Sequence, residues 1–166
     1  MTANRHGSSV VEYPTALEIV TTREFDAPLD LVFDVFTKPE HVRKWFAPFT
    51  CEVTKCSIDL RVGGEYHIVF VTEDGGECSF RGTYLEIEPP THVVSTWLFD
   101  GWPDADAVES VDMHEANGVT TLTMRTAFRD QGGRDHMTRH DGQEDSFDKM
   151  EDYLSSLLEA KERVAG

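Results

Sequence analysis

Residues 65–99 read EYHIVFVTEDGGECSFRGTYLEIEPPTHVVSTWLF. In the first run Tyr66, Ile68 and Phe70 alternate with His67, Val69 and Val71, the two-residue period of a half-buried strand. Asp74-Gly75-Gly76 is a hairpin signal, after which residues 77–88 alternate again and stop at Pro89-Pro90. Residues 92–99, rich in Val, Thr, Trp and Phe, supply a third strand. Strands joined by such short turns pair antiparallel, because a parallel neighbour needs a long crossover.

Working outward, residues 51–60 form a preceding strand that ends before Gly63-Gly64, a turn suited to residues without Cβ. Residues 100–105 hold Gly101, Trp102 and Pro103 and read as a loop. Residues 108–115 and 119–128 form a last hairpin around Asn117-Gly118. Near the start, residues 17–25 read as a strand punctuated by Pro28. Leu29, Val32, Phe33 and Phe36 then follow at the spacing of one helical face. Thr37 with Glu40 predicts a capping box, opening a second short helix that carries Val42, Trp45 and Phe46 and ends at Pro48. Residues 129–142 are polar and carry no clear period. Beyond them Phe147, Met150, Leu154, Leu157 and Leu158 mark one side of a long helix. Its acidic start (Glu144, Asp145, Asp148) and basic end (Lys161, Arg163) suit the helix dipole. The order is strand, two short helices, about six hairpin-linked strands and one long helix, an α+β class with a curved antiparallel sheet. Residues 1–15 predict a loose arm and residues 16–166 a single domain.

Composition narrows the function. The chain has 166 residues, 15 Lys+Arg against 31 Asp+Glu, and a net charge of −16. That balance disfavours nucleic acid and anionic lipid surfaces, where cations must dominate the contact. No run reaches the ~18 apolar residues of a membrane helix, and the start lacks a secretory pattern, so the expectation is a cytoplasmic protein. Three cysteines suit reduced thiols rather than a disulfide framework. Cys51 and Cys56, five residues apart in a strand, would lie ~16 Å apart and on opposite faces. The acidic stretch Asp100, Asp104, Asp106, Glu109, Asp112 and Glu115 reads as a solvated surface. His136 and His140 have helical spacing with Glu144 beyond, but no H-E-x-x-H accompanies them, and no metal or other cofactor is expected. Serine-hydrolase, dinucleotide and P-loop motifs are missing as well.

The elements Arg23-Glu24-Phe25-Asp26-Ala27-Pro28, Val32-Phe33, Trp45, Asp59-Leu60-Arg61-Val62-Gly63-Gly64, Asp74-Gly75, Gly82 with Glu86-Ile87, and Pro89-Pro90 occur in a characteristic order. In that order and spacing the chain resembles the proteins related to the C-terminal domain of the activator of the 90-kDa heat-shock protein ATPase. These belong to the START/SRPBCC superfamily, whose helix-grip fold is shared with the birch pollen allergen. The resemblance covers roughly residues 17–160. It implies a long C-terminal helix over a cavity and a cavity protein of unspecified ligand. At one point the chain departs from the family, which often carries Gly-Trp before the final helix; here Gly142 is followed by Gln143.

If the large residues of alternate positions point inward, Tyr66, Ile68, Phe70, Phe80 and Tyr84 line one sheet face. Trp97, Phe99, Met113, Leu122 and Met124 continue it, with Trp45, Met150 and Leu154 facing them from the helices. The sequence leaves open whether this interior is a filled core or a pocket for a small, largely apolar ligand. The parity that turns the aromatics inward also turns Glu86 inward, with Gly82 leaving space beside it. Trp102 is either a lid at the mouth or packed on the sheet edge. An enzyme of the cyclase or dehydratase kind would need converging polar groups, for which Glu86, Tyr84, His114 and Arg125 are the candidates. An interaction module with a protein partner would need an exposed apolar patch, and either a monomer or a homodimer is compatible with the sequence.

Overall fold

The computed structural model describes residues 4–101, 106–139 and 143–165. Its strands are β1 (Val10–Glu12), β2 (Glu18–Phe25), β3 (Glu52–Ile58), β4 (Glu65–Val71), β5 (Glu77–Glu88), β6 (His92–Phe99), β7 (Ala107–Ala116) and β8 (Val119–Phe128). Its helices are α1 (Leu29–Thr37), α2 (Pro39–Val42), α3 (Gln131–Arg139) and α4 (Gln143–Ala165).

All eight strands join one antiparallel sheet in the order β1-β2-β8-β7-β6-β5-β4-β3. Strands β3 to β8 are successive hairpins, as the alternation predicts. The β7–β8 turn has Asn117 and Gly118 both at positive φ, 54° and 80°, the geometry whose twist matches the flanking strands. Strand β2 lies beside β8, so α1 and α2 carry the chain from near one edge of the sheet to β3 at the other. The two short helices and α4 share one core with the inner sheet face, built around Phe25, Val32, Trp45, Leu122, Phe147 and Met150. Phe25 and Phe147 meet edge to face with centroids 5.9 Å apart. At the outer end of the sheet, Ala107, Phe128, Ile19, Trp97 and Met137 form a second small cluster under α3.

Several local expectations are corrected. Residues 1–15 were expected to be loose, but Val10–Glu12 pairs with β2. The backbone N–H groups of Arg5, Gly7 and Ser9 donate to Glu151, Asp148 and Glu144 of α4. The same acidic helix face holds Arg23, whose side chain has no exposed surface and donates to Asp148 at 2.9 Å and Glu151 at 2.7 Å. Thus the carboxylates at the start of α4 fasten it to both β2 and the N-terminal segment. Thr37 forms no capping box: its hydroxyl donates to the Phe33 carbonyl, one turn back in α1. The unassigned polar stretch contains α3, in which Gly132 and Gly133 had masked the helical signal.

Candidate functional site

Between the sheet, the two short helices and the start of α4 lies a cavity of about 520 Å³. That lies within the range of ligand pockets, ~300–1,000 Å³. Its walls come from α1 and α2 (Phe36, Val42), the segment after them (Trp45, Phe46), the sheet, Met137 of α3, and Gln143, Asp145 and Ser146 of α4.

Aromatic side chains form much of the wall. Phe80 packs beside Phe70 at 5.7 Å, Trp97 at 5.8 Å and Phe46 at 5.4 Å. Tyr66 and Tyr84 pair at 5.7 Å. Across the cavity Trp45 is held by its indole N–H, which donates to the Val35 carbonyl at 2.9 Å, and by stacking on Phe36.

A polar row crosses this apolar wall. Tyr84 is opposite Ser95, Ser95 opposite Glu109, and Glu109 opposite Thr126, on four consecutive strands. Directly opposed residues share a sheet face. The rows on either side are apolar: Trp97, Ala107 and Phe128 in one, Val93, Val111 and Met124 in the other. Tyr66 adds a phenol beside the row, its hydroxyl donating to the Thr96 carbonyl at 3.2 Å. Burial pushes the Glu109 carboxyl up from 4.5 to about 7, with the Thr126 hydroxyl opposing the shift. Its remaining accessible surface faces the cavity that it lines. Burial also raises both phenols, Tyr66 well above its ordinary value, and the nearby Glu109 adds to each shift.

Of the residues expected at a pocket, Trp45, Tyr66, Ile68, Phe70, Phe80, Tyr84, Trp97 and Met124 line the cavity. Met113, Leu122, Met150 and Leu154 do not; they are buried in the core packed around it. Phe99 does not line it either; it sits beside the wall residue Phe80, stacked on it at 4.9 Å and against His136. Trp102 lies outside the described residues, as does His140, which has helical spacing to His136.

Glu86 is the main correction. The pairing shifts between Tyr84–Ser95 and Glu86–Val94, so Leu85 is an extra residue and the faces exchange beyond it. Ile87 turns inward and Glu86 outward, where it meets His92 at 3.3 Å. Gly82 leaves no space either: an added Cβ would run into the Thr96 carbonyl and the Tyr66 ring. Its lack of a side chain admits the neighbouring strand. Of the other catalytic candidates, Tyr84 is buried in the cavity wall, whereas Arg125 is exposed and paired to Glu18, and His114 is exposed on the outer face.

Glu109 was missed because it stood in an acidic run read as solvated surface. Its parity with Ala107, Val111 and Met113, all buried, was the available signal. Gln143, the point of departure from the family pattern, does line the cavity. Among the described residues, two groups elsewhere bring metal-ligand side chains together, His6–Glu151–Asp152 and Glu86–Glu88–His92. Neither borders the cavity.

Residues 26–155 match the model of the family described as Activator of Hsp90 ATPase homolog 1-like protein. The chain belongs to that family. Solved structures share its fold. A Rhodobacter sphaeroides protein superposes with a TM-score of 0.82 at 18% identity, covering 89% of this chain and 99% of that one. A Nitrosomonas europaea protein gives 0.76 at 23% identity, with 87% and 98% covered. CalU16 from Micromonospora echinospora gives 0.61 at 22% identity, with 92% and 87% covered. No curated protein matches the chain. The eight-stranded sheet, the two short helices and the long terminal helix together fit the helix-grip fold of the superfamily. Among the described residues, no helix is long and apolar enough to cross a membrane.

Proposed function

We propose that this protein binds a small, largely hydrophobic molecule in the cavity between the sheet and α4. The observation that carries the reading is the 520 Å³ hollow walled by aromatic side chains. A guest there exchanges water for ring faces, worth roughly 25 cal/mol per Å² buried before ordering costs are subtracted. The three cysteines are free, which suits a reducing compartment such as the cytoplasm as the setting we propose.

The test is a thermal-shift screen of neutral lipids, flavonoids and polyketides, read alongside tryptophan fluorescence. A ligand at a hundred times its Kd adds ~2.7 kcal/mol of stability. For a chain of this length that raises Tm by roughly 5–10 °C. Trp45 and Trp97, both in the wall, respond in emission. A screen in which no compound moves either signal overturns the proposal.

A further inference from the structure

We infer that the ligand is a hydrophobic organic cation, an amine whose apolar body lies on the aromatic wall and whose ammonium meets Glu109. This deepens the proposed function and rests on it.

Three observations converge. First, the charges lining the cavity have one sign: Glu109 and Asp145 contribute carboxylates, and no Lys, Arg or His is among the described lining residues. Second, Glu109 sits in the middle of the polar row with apolar rows on both sides. Such a wall gathers its polar groups in one row around Glu109 and suits a guest with a polar end and an apolar body. Third, Trp45, Trp97, Phe80 and Tyr84 line the same space. The negative face of an aromatic ring attracts a cation, most of all where water is excluded. An anion would meet two carboxylates and no counterion. A neutral guest would leave Glu109 without a partner ion when it ionises.

The groups around Glu109 are polar but bring it no positive charge. Tyr84, Ser95 and Thr126 share its row, and Tyr66 stands beside it from β4. None of these supplies positive charge. The remaining titratable groups of the lining are the thiols Cys51 and Cys78 and the Asp145 carboxylate. Lys149 lies near Asp145 and Cys51, with its amine directed at the Pro48 carbonyl. Asp145 therefore has a basic neighbour, and among the described residues none acts on Glu109. With Glu109 partly protonated near neutrality, binding of an ammonium displaces its proton to solvent. The chain's net charge of −16 also steers cations toward the protein.

Three probes of nearly equal shape test this: 1-naphthylmethylamine, 1-naphthylmethanol and 1-naphthoate. Their Kd values are measured by calorimetry at about pH 8 with the wild-type protein and with Glu109→Gln. The expected result is that the amine binds at least ~10-fold tighter than the alcohol, and the carboxylate most weakly. Glu109→Gln abolishes the gap between amine and alcohol. Calorimetry at about pH 6.5 in buffers of different ionisation enthalpy reads proton release on amine binding by the wild type, independently of the variant's folding. If the alcohol binds as tightly as the amine, or if no proton is released, the cation inference falls while the cavity reading stands. If none of the three probes binds, both fall.

Discussion

Replacing Glu109 by glutamine should remove a loss of stability that the wild-type protein suffers as the pH rises. The folded carboxyl holds its proton up to about 7, against 4.5 in the unfolded chain. Below 4.5 both states are protonated and burial costs no charge. As pH rises from 4.5 to about 7 the unfolded chain releases its proton first, so folding is progressively penalised. Above 7 the penalty is complete and no longer changes. That interval corresponds to roughly 3 kcal/mol, or some ~6–12 °C in Tm for a chain of this length. Glutamine keeps the shape and cannot ionise. Relative to wild type, Glu109→Gln should therefore gain roughly 3 kcal/mol between about pH 4 and about pH 8.5. Urea unfolding followed by tryptophan fluorescence at both pH values measures the change. His6 and His92, both raised by carboxylate partners, stabilise the fold at low pH and lose that effect as pH rises. They act equally in both proteins and cancel in the difference. Parallel pH profiles for the two proteins would refute the burial argument.

Arg23→Met should cost ~3–5 kcal/mol in urea unfolding, because it strands the partly buried Asp148 and Glu151 carboxylates; a loss below ~1 kcal/mol would show that α4 is held by packing alone. Gly82→Ala should cost ~1–3 kcal/mol, since its methyl meets the Thr96 carbonyl, and an unchanged denaturation midpoint would contradict the close approach of β5 and β6. Val111→Phe places a ring beside Glu109 inside the hollow; it should abolish binding of 1-naphthylmethanol while the protein still unfolds cooperatively, and undiminished binding would place the guest elsewhere.

What the sequence made legible follows from which forces are local. The hairpin turns at Asp74-Gly75 and Asn117-Gly118 and the alternation around them act over a few residues, so the sheet order from β3 to β8 could be read directly. The apolar side of α4, with Phe147, Met150 and Leu154, was equally plain. Glu86 was misread because the register shift after Tyr84 depends on how β6 approaches Gly82. No residue at position 85 announces an extra member of a strand. Strand β1 escaped notice because its three residues are exposed and its pairing is supplied by the β2 edge. Glu109 was legible in principle: stepping back by twos from Met113 through Val111 reaches it. Its acidic neighbours Asp106, Asp112 and Glu115 concealed the step. The hollow itself was not legible, since alternation places rings on a face without saying whether they meet the helix opposite.

The central claim is that this interior is open. A crystal structure determined under xenon pressure tests it most directly, because xenon enters apolar voids. The account predicts xenon density among Trp45, Phe80, Tyr84 and Val111. Rings closed over that space, with no xenon bound between the sheet and α4, would contradict it.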